Sequence, residues 1–166
     1  MCTKYGFSFK EAPLGNWPSE TTKFLMADEV KEIAKAIITK FRTDLVNINI
    51  GYIFKAKASK NGEFTTLGQA KTESELQQVL HGIEAIIIIG FDTWKDLSLD
   101  EKARLVYHEL EHLGWDEKSG KLKTTPHLVE EFPSVIQAFG PGSDSQIAFI
   151  NAWEKFKSDN PSPTKP

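Results

Sequence analysis

Cysteine is nearly absent from the sequence, because Cys2 is the only one in 166 residues. A single thiol cannot form an internal disulfide, so the fold must rest on an apolar core, and the chain fits a reducing compartment. Long apolar runs are also lacking. The longest one, from Ile86 to Ile89 with its neighbours, is far shorter than the ~20 residues of a membrane-spanning helix.

Two further absences narrow the class of protein. The first residues contain no apolar segment of the kind found in signal peptides, so we expect a cytoplasmic protein without a membrane anchor. Basic residues are not in excess, since the net charge is −3 and no run of lysine and arginine occurs. This balance argues against a nucleic-acid-binding surface. The length predicts a single domain over residues 1–157, followed by a short polar tail at 158–166 that we expect to be disordered.

Alternating periodicities predict an α+β fold. After an irregular N-terminal arm, apolar residues at helical spacing predict a helix from Ala27 to Phe41, with its charged face, including Glu29, in solvent. The predicted strands are Val46 to Phe54, Glu63 to Ala70 after an Asn61-Gly62 hairpin turn, and the isoleucine-rich segment from Ile83 to Gly90, buried on both faces. They would form a small, mostly antiparallel three-stranded sheet. Thr72 and Glu75 predict a capping box for a short helix that ends at Gly82.

Helices are predicted for the C-terminal part as well. Thr125 and Pro126 suit the start of a helix, which Pro133 would kink. Ser143 is the predicted N-cap of a last helix, with Gln146 as its partner. The apolar stripe of that helix is expected to be buried and consists of Ile147, Ile150, Trp153 and Phe156.

The segment from Ser98 to Gly114 carries the most informative motif, His108-Glu109-Leu110-Glu111-His112. Ser98 and Glu101 predict a capping box, and Gly114 predicts a left-handed turn that closes the helix. Residues four apart share one helix face, so His108 and His112 can reach the same point. The opposite stripe should face the core and consists of Ala103, Val106, Leu110 and Leu113.

This H-E-x-x-H pattern is typical of zinc hydrolases. Two neutral imidazoles bind Zn²⁺, and Glu109 is the expected catalytic base that takes a proton from the water activated by the metal. Glu109 is predicted to lie beside the histidines on the outward side of the helix. No donor for the oxyanion can be assigned, because Tyr107 points away from His108 and only Tyr52 and Trp115 remain as guesses.

A catalytic zinc needs a third protein ligand. His127 is the favoured residue, because three of the four histidines lie within twenty residues and the chain can reverse at Gly114. Glu130 or Glu131 remains an alternative third ligand, since a glutamate on a following helix can serve the same role. If His127 binds the metal, Glu130 or Asp116 could orient the imidazoles.

The motif, the isoleucine strand before it and the segment His127-Leu-Val-Glu-Glu-Phe132 together resemble the putative phage metallopeptidase family, which is similar to SprT-like minimal zincins. The resemblance covers about residues 27–140. It implies an α-β-β-β-α-α arrangement, a metal held between helices and zinc-dependent cleavage of a peptide or protein substrate. Leu128 stands where the family often has an aspartate, and Pro133 is a second departure.

Two other functions remain open at this point. One is a catalytically silent zinc-binding protein of phage or prophage origin, in which the metal only fastens the helices and the surface binds a partner. The other is a metal-free interaction module whose histidines are coincidental. Neither the substrate nor the oligomeric state can be read from the sequence.

Overall fold

The computed structural model describes residues 8, 15–61, 64–127, 141 and 143–161. The chain forms two units, residues 1–125 and 126–166. The predictions made for Glu130, Glu131 and Pro133 fall outside the described residues.

The first unit contains most of the secondary structure. Its helices are α1 (Asp28–Phe41), α2 (Glu75–His81), α3 (Phe91–Trp94) and α4 (Leu99–Glu111), with one turn of 3₁₀ helix at Thr43–Leu45. Its strands are β1 (Phe24–Met26), β2 (Ile50–Lys55), β3 (Ser59–Asn61), β4 (Phe64–Thr66), β5 (Gly68–Thr72), β6 (Ala85–Gly90), β7 (Leu113–Trp115) and β8 (Leu122–Thr124). The predicted mixture of helices and strands is therefore confirmed.

The central sheet has four strands in the order β1-β2-β6-β5. Two neighbouring pairs are antiparallel, β1 with β2 and β5 with β6, whereas β2 and β6 run parallel. The expected three-stranded sheet is thus not what the described residues form. The additional strand is β1, which lies between the first twenty residues, expected to form an irregular arm, and the first predicted helix.

One face of this sheet packs on the helices and forms the core. Ile50, Tyr52 and Phe54 of β2 are buried there, and Ala85, Ile87 and Ile89 of β6 are fully buried on the same side. Alternate residues of β6, such as Ile88, are only half-buried on the other face. The isoleucine strand was expected to be buried on both faces, but only the face toward the helices is fully buried.

Strand boundaries in the middle of the chain differ from the prediction. Val46 is exposed and precedes β2, because the 3₁₀ turn occupies the chain up to Leu45. The hairpin is present as β3 and β4, but the returning strand is divided, and β5 joins the central sheet instead. The N-cap of α2 is Ser74 and not Thr72, while Gly82 does end that helix in the left-handed conformation, with φ of 71°.

Helix α1 agrees with its predicted bounds and buries Val30, Ile33, Ala34 and Ile37. Glu29 is the exception to its predicted solvent face. Its Oε2 accepts a hydrogen bond from the indole N–H of Trp94 at 2.8 Å, and its Oε1 lies 2.9 Å from Nζ of Lys102. Trp94 is fully buried, so this group joins α1, α3 and α4 beneath the surface.

Replacing Glu29 by alanine should lower the free energy of unfolding by about 2–3 kcal/mol, because a partly buried charged acceptor is lost and two donors keep no partner. Urea unfolding measures the effect. Glu32→Ala is the control, since the Glu32–Lys35 ion pair lies on the same helix but Lys35 is 59% exposed. The control should change the free energy by less than about 0.5 kcal/mol. Equal effects of the two substitutions would contradict this role of Glu29.

The second unit contains α5 (Asp144–Asp159). Ser143 is its N-cap, as predicted, and accepts a hydrogen bond from the backbone N–H of Gln146. The predicted burial of its apolar stripe is wrong for the structure described, because Ile147, Trp153 and Phe156 are between 44% and 53% exposed. The helix also continues two residues, Ser158 and Asp159, into the predicted tail.

Within the described part of the chain, no helix is long and apolar enough to cross a membrane.

Candidate metal centre

Helix α4 begins as the sequence predicts. The side chain of Ser98 accepts a hydrogen bond from the backbone N–H of Glu101, and the Glu101 carboxylate accepts one from the Ser98 N–H at 2.8 Å. Ala103, Val106, Leu110 and Leu113 are all buried against the core. This packing fixes the rotation of α4 about its axis and therefore the direction of its two histidines.

The rings of His108 and His112 lie one turn apart on α4, with centroids separated by 5.0 Å and planes nearly perpendicular. His127 joins them. One nitrogen from each of the three imidazoles lies within 4.8 Å of the other two. His108 and His127 are exposed and His112 is half-buried, so the three donors can be reached from solvent.

Strands β7 and β8 account for the return of the chain toward α4. Directly after β8, the Thr125 N–H donates to the His112 carbonyl at 2.7 Å, and the Thr125 hydroxyl donates to the Glu111 carbonyl at 3.0 Å. His127 is only two residues further on. Segment 115–124 was predicted as a polar turn, so these two short strands are an addition to the prediction.

The carbonyl oxygen of Thr125 also determines which ring nitrogen of His112 carries the proton. Nδ1 of His112 lies 2.7 Å from the Thr125 carbonyl oxygen, and a carbonyl can only accept a hydrogen bond. Nδ1 therefore carries the proton, which leaves the lone pair of Nε2 for a metal. Glu130 or Asp116 was expected to orient the imidazoles, and for His112 the partner is a backbone carbonyl.

Gly114 does not close α4 in a left-handed turn, so that prediction is wrong. The described glycines with positive φ are Gly82 and Gly120. Gly114 lies in β7, and a Cβ atom placed there would be 2.8 Å from Cγ2 of Thr125. Glycine is needed at this position because the β7 backbone and Thr125 approach closely.

Asp116 stabilises the turn between β7 and β8. Its Oδ1 accepts hydrogen bonds from the Ser119 N–H at 2.8 Å and the Ser119 hydroxyl at 2.9 Å, and Lys123 lies 3.3 Å from Oδ2. These hydrogen bonds, first the one from the Ser119 backbone, lower the pKa of Asp116 to about 2. The Asp116 carboxylate therefore makes these contacts within the β7–β8 hairpin.

Asp116→Asn should destabilise the protein at neutral pH, with a difference that disappears in acid. The pKa of Asp116 is lower in the folded chain than its ordinary 3.8, so its contribution is complete above that pH and is lost as the pH falls toward 2. Urea unfolding of both proteins between pH 7 and pH 2 measures the difference. Glu117→Gln, which removes an exposed carboxylate from the same turn, is the control. A difference that does not change with pH would contradict the prediction.

Glu109 lies in a different environment from the one predicted. It is 2% exposed and packs against β5, whereas the outward side of the helix was expected. A Cβ atom at Gly68 would be 2.8 Å from Cδ and 2.9 Å from Cγ of Glu109, so only glycine leaves room for this carboxylate. The backbone of Ala70 provides a hydrogen bond to it.

Burial raises the pKa of Glu109 to about 6, while the nearby His112 and the Ala70 hydrogen bond lower it. Among the described residues, its Oε2 atom is buried without a hydrogen-bond partner. A buried carboxylate oxygen in that state costs free energy unless a donor outside the chain reaches it. A water molecule beside a metal held by the histidines would be such a donor.

Arg42 holds the C-terminal end of α4. Its guanidinium donates to the carbonyl oxygen of Leu110, in the last turn of α4, and to that of Leu113, at the start of β7. It also pairs with Asp44 at 2.8 Å and lies 3.5 Å from Glu111. The side chain is 12% exposed, and the pKa of Arg42 is raised, chiefly by its hydrogen bond to Asp44. Arg42 thus anchors the turn of α4 that carries His112.

No local sequence pattern indicated these contacts. Gly68, Ala70, Arg42 and Thr125 are far from the motif along the chain or lack a characteristic spacing. The tyrosines and Trp115 remain without an assigned role: Tyr52 is buried in the core and its pKa is raised by burial, Tyr107 stacks on Phe41 at 5.4 Å, and Trp115 is exposed.

The donor set fits a divalent metal ion. Three neutral imidazole nitrogens are a frequent ligand set for Zn²⁺ and other borderline metals, and they leave a coordination position for water. A family model described as putative phage metallopeptidase matches residues 22–159. The chain belongs to this family.

Membership of the putative phage metallopeptidase family agrees with the histidine cluster, since a metallopeptidase needs a bound metal and acts on peptides. The match includes α1, the central sheet and α4. No curated protein matches the chain, and no solved structure matches it.

Proposed function

We propose that the protein is a zinc-dependent peptidase that hydrolyses a peptide bond with Glu109 as general base. The observation that carries the proposal concerns Oε2 of Glu109, which is buried, has no hydrogen-bond partner in the described part of the chain, and lies on the helix that provides His108 and His112. A carboxylate that lies between two proposed metal ligands in the sequence, and that has an oxygen available for a donor, suits the activation of water.

His108, His112 and His127 would hold the zinc. The Thr125 carbonyl keeps the proton of His112 on Nδ1, so that Nε2 is the ligand. Bound zinc lowers the pKa of water to about 7 and polarises the substrate carbonyl. Glu130 and Glu131 stay as alternative third ligands.

Glu109 receives the proton of the attacking water and later returns it to the amine of the leaving peptide. Burial raises the pKa of Glu109 to about 6 in the chain without a bound ion, and the charge of a metal held beside it would favour the ionised carboxylate that accepts the proton. Contact with Gly68 and Ala70 holds the carboxylate in one position, which reduces the reorganisation needed for proton transfer.

The test is hydrolysis of a fluorescein-labelled unfolded protein by the purified chain. A chelator should abolish the activity, and added zinc should restore it. His112→Ala should reduce the bound zinc to less than about 0.1 equivalent and remove the activity, because two remaining imidazoles bind zinc weakly. His81→Ala is the matched control, since His81 lies on α2 and contacts Gln77. Elemental analysis measures the zinc.

One result would replace this proposal by the silent zinc-binding function. In that case the chain binds one equivalent of zinc through the histidines, loses its fold when the metal is removed, and cleaves none of the substrates offered. Absence of bound metal from the protein purified and then supplied with zinc would exclude both functions.

A further inference from the structure

A cavity of about 470 Å³ lies on the face of the central sheet that α4 does not cover. Gln69, Ile88 and Lys55 line it, and they alternate with the core-facing residues of their strands. Its volume is within the range of small-molecule and side-chain sites. Phe24, Leu67 and Ile88 provide its apolar surface.

Contacts within the protein hold in place the wall of the cavity that lies next to the β3–β4 hairpin. Ala58 lies directly over Gly90, where a Cβ atom would be 2.7 Å from Cα of Ala58. The Ala58 N–H donates to Oδ1 of Asp92 at 2.7 Å, and the same oxygen accepts from the Thr93 N–H. The Asp92 carboxylate therefore holds the backbone of Ala58 in place, and this wall of the cavity forms without a ligand.

The cavity is positively charged, although the whole chain carries a net charge of −3. Lys55 and Lys57 line it together with the polar side chains of Ser59, Thr66 and Gln69, and no acidic residue lines it in the described part of the chain. Nζ of Lys55 donates to the Ser59 hydroxyl at 3.0 Å. Within the same part, neither lysine has a carboxylate within 4 Å, in contrast to Lys71, Lys102 and Lys123.

Gly68 connects this cavity to the candidate metal centre. Its backbone lines the cavity, and the Cβ position of the same residue points at the Glu109 carboxylate. Only the thickness of the edge strand β5 separates the two sites. A peptide that passes over this edge next to Glu109 can place a side chain in the cavity, because side chains of an extended peptide alternate between opposite faces.

We propose that the cavity binds a carboxylate side chain of the peptide substrate, so that the protein prefers acidic peptides. The inference rests on the proposed peptidase function for the identity of the occupant. Lys55 and Lys57 supply the positive charge, Ser59 and Gln69 supply further hydrogen-bond donors, and Ile88 contacts the methylene groups of a glutamate or aspartate.

Binding is measured first, with the zinc-loaded Glu109→Gln chain so that no cleavage occurs. The probes are three fluorescein-labelled twelve-residue peptides that are identical except for Glu, Gln or Lys at alternate positions. Fluorescence anisotropy should show about tenfold tighter binding of the Glu peptide than of the Gln peptide, and weaker binding in higher salt. Equal affinities of the three peptides would overturn the proposal.

The lysines are tested in the same background. Lys55→Gln with Lys57→Gln should remove the preference for Glu, and Lys57→Gln alone should reduce it if the double variant does not fold. Lys95→Gln with Lys118→Gln is the charge-matched control, since both lysines are exposed and neither lines the cavity. A preference that survives the first pair of substitutions, or is lost in the control, would overturn the assignment of the site. So would tighter, lysine-dependent binding of a single-stranded oligonucleotide.

Hydrolysis by the unmodified chain separates this inference from the function on which it rests. Cleavage of the Gln peptide as fast as the Glu peptide would leave the peptidase and remove the acidic preference. Lysine-dependent binding of the Glu peptide without cleavage of any peptide would remove the peptidase and keep the cavity as a site for acidic peptides. Faster cleavage of the Glu peptide, reduced by Lys57→Gln, supports both.

Discussion

Replacing Glu109 by glutamine should lower the rate of peptide hydrolysis by about 10²–10⁴-fold, the usual contribution of a general base. Zinc binding should stay within about threefold of the unmodified protein, because His108, His112 and His127 are unchanged. The change removes one ionisable oxygen and keeps the shape of the side chain against Gly68. Steady-state cleavage of a labelled peptide and zinc titration measure the two quantities.

Stability gives an independent check on this variant. Burial raises the pKa of Glu109 above its ordinary 4.5, so in the metal-free protein the ionised carboxylate costs stability as the pH rises from about 4.5 through 6. Glutamine removes that cost, and the variant should unfold at the same or a higher temperature at pH 7. Loss of activity through unfolding would therefore be recognised at once.

Glu111→Gln is the matched control for Glu109. It lies in the same motif, but its side chain is 57% exposed and contacts Arg42 at 3.5 Å. An exposed ion pair contributes little, so hydrolysis should change by less than about threefold. If the two glutamines were to have equal effects, or if Glu109→Gln were to stay fully active, Glu109 could not be the base.

Gly68→Ala is expected to have the second largest effect, a loss of hydrolysis of about 10²-fold with zinc still bound. The new methyl carbon would lie 2.8 Å from Cδ of Glu109, so the carboxylate must move. Displacement of a catalytic group by about 1 Å can cost that factor. The overpacked contact should also lower the free energy of unfolding by about 1–3 kcal/mol.

The two substitutions should not be additive. In the Glu109→Gln background, Gly68→Ala should cause little further loss of hydrolysis, because the group that it displaces is already inactive. Gly15→Ala is the control, since nothing lies within 4 Å of a Cβ atom at Gly15. A full 10²-fold further loss in the double variant would mean that Gly68 acts on hydrolysis by another route.

Local sequence patterns predicted those features that depend on residues close together in the sequence. The capping box at Ser98, the burial of Leu110 on α4 and the end of α2 at Gly82 follow from patterns of neighbouring residues, and each is confirmed. The motif alone also named His108 and His112 as metal ligands. Their proximity to His127 agrees with that prediction, although the ligand set itself is still a proposal.

Features that depend on distant parts of the chain were not predictable. Helical spacing places Glu109 beside His108, but its burial is decided by β5, which is about forty residues earlier. Gly114 was interpreted from its position after a helix, whereas the need for glycine there comes from the close approach of Thr125, just after β8. Helical spacing places Glu29 on the charged face of α1, but its hydrogen bond with the indole of Trp94, which is far away in the sequence, cannot be read from that spacing.

The parallel pairing of β2 with β6 has a consequence for the order in which the protein assembles. The segment between Lys55 and Ala85, which includes the hairpin, β5 and α2, must be synthesised before β2 and β6 can pair. Such distant pairing is slow to form. During synthesis, α4 leaves the ribosome after both of these strands, so its histidines can meet a metal ion only when the central sheet can already form.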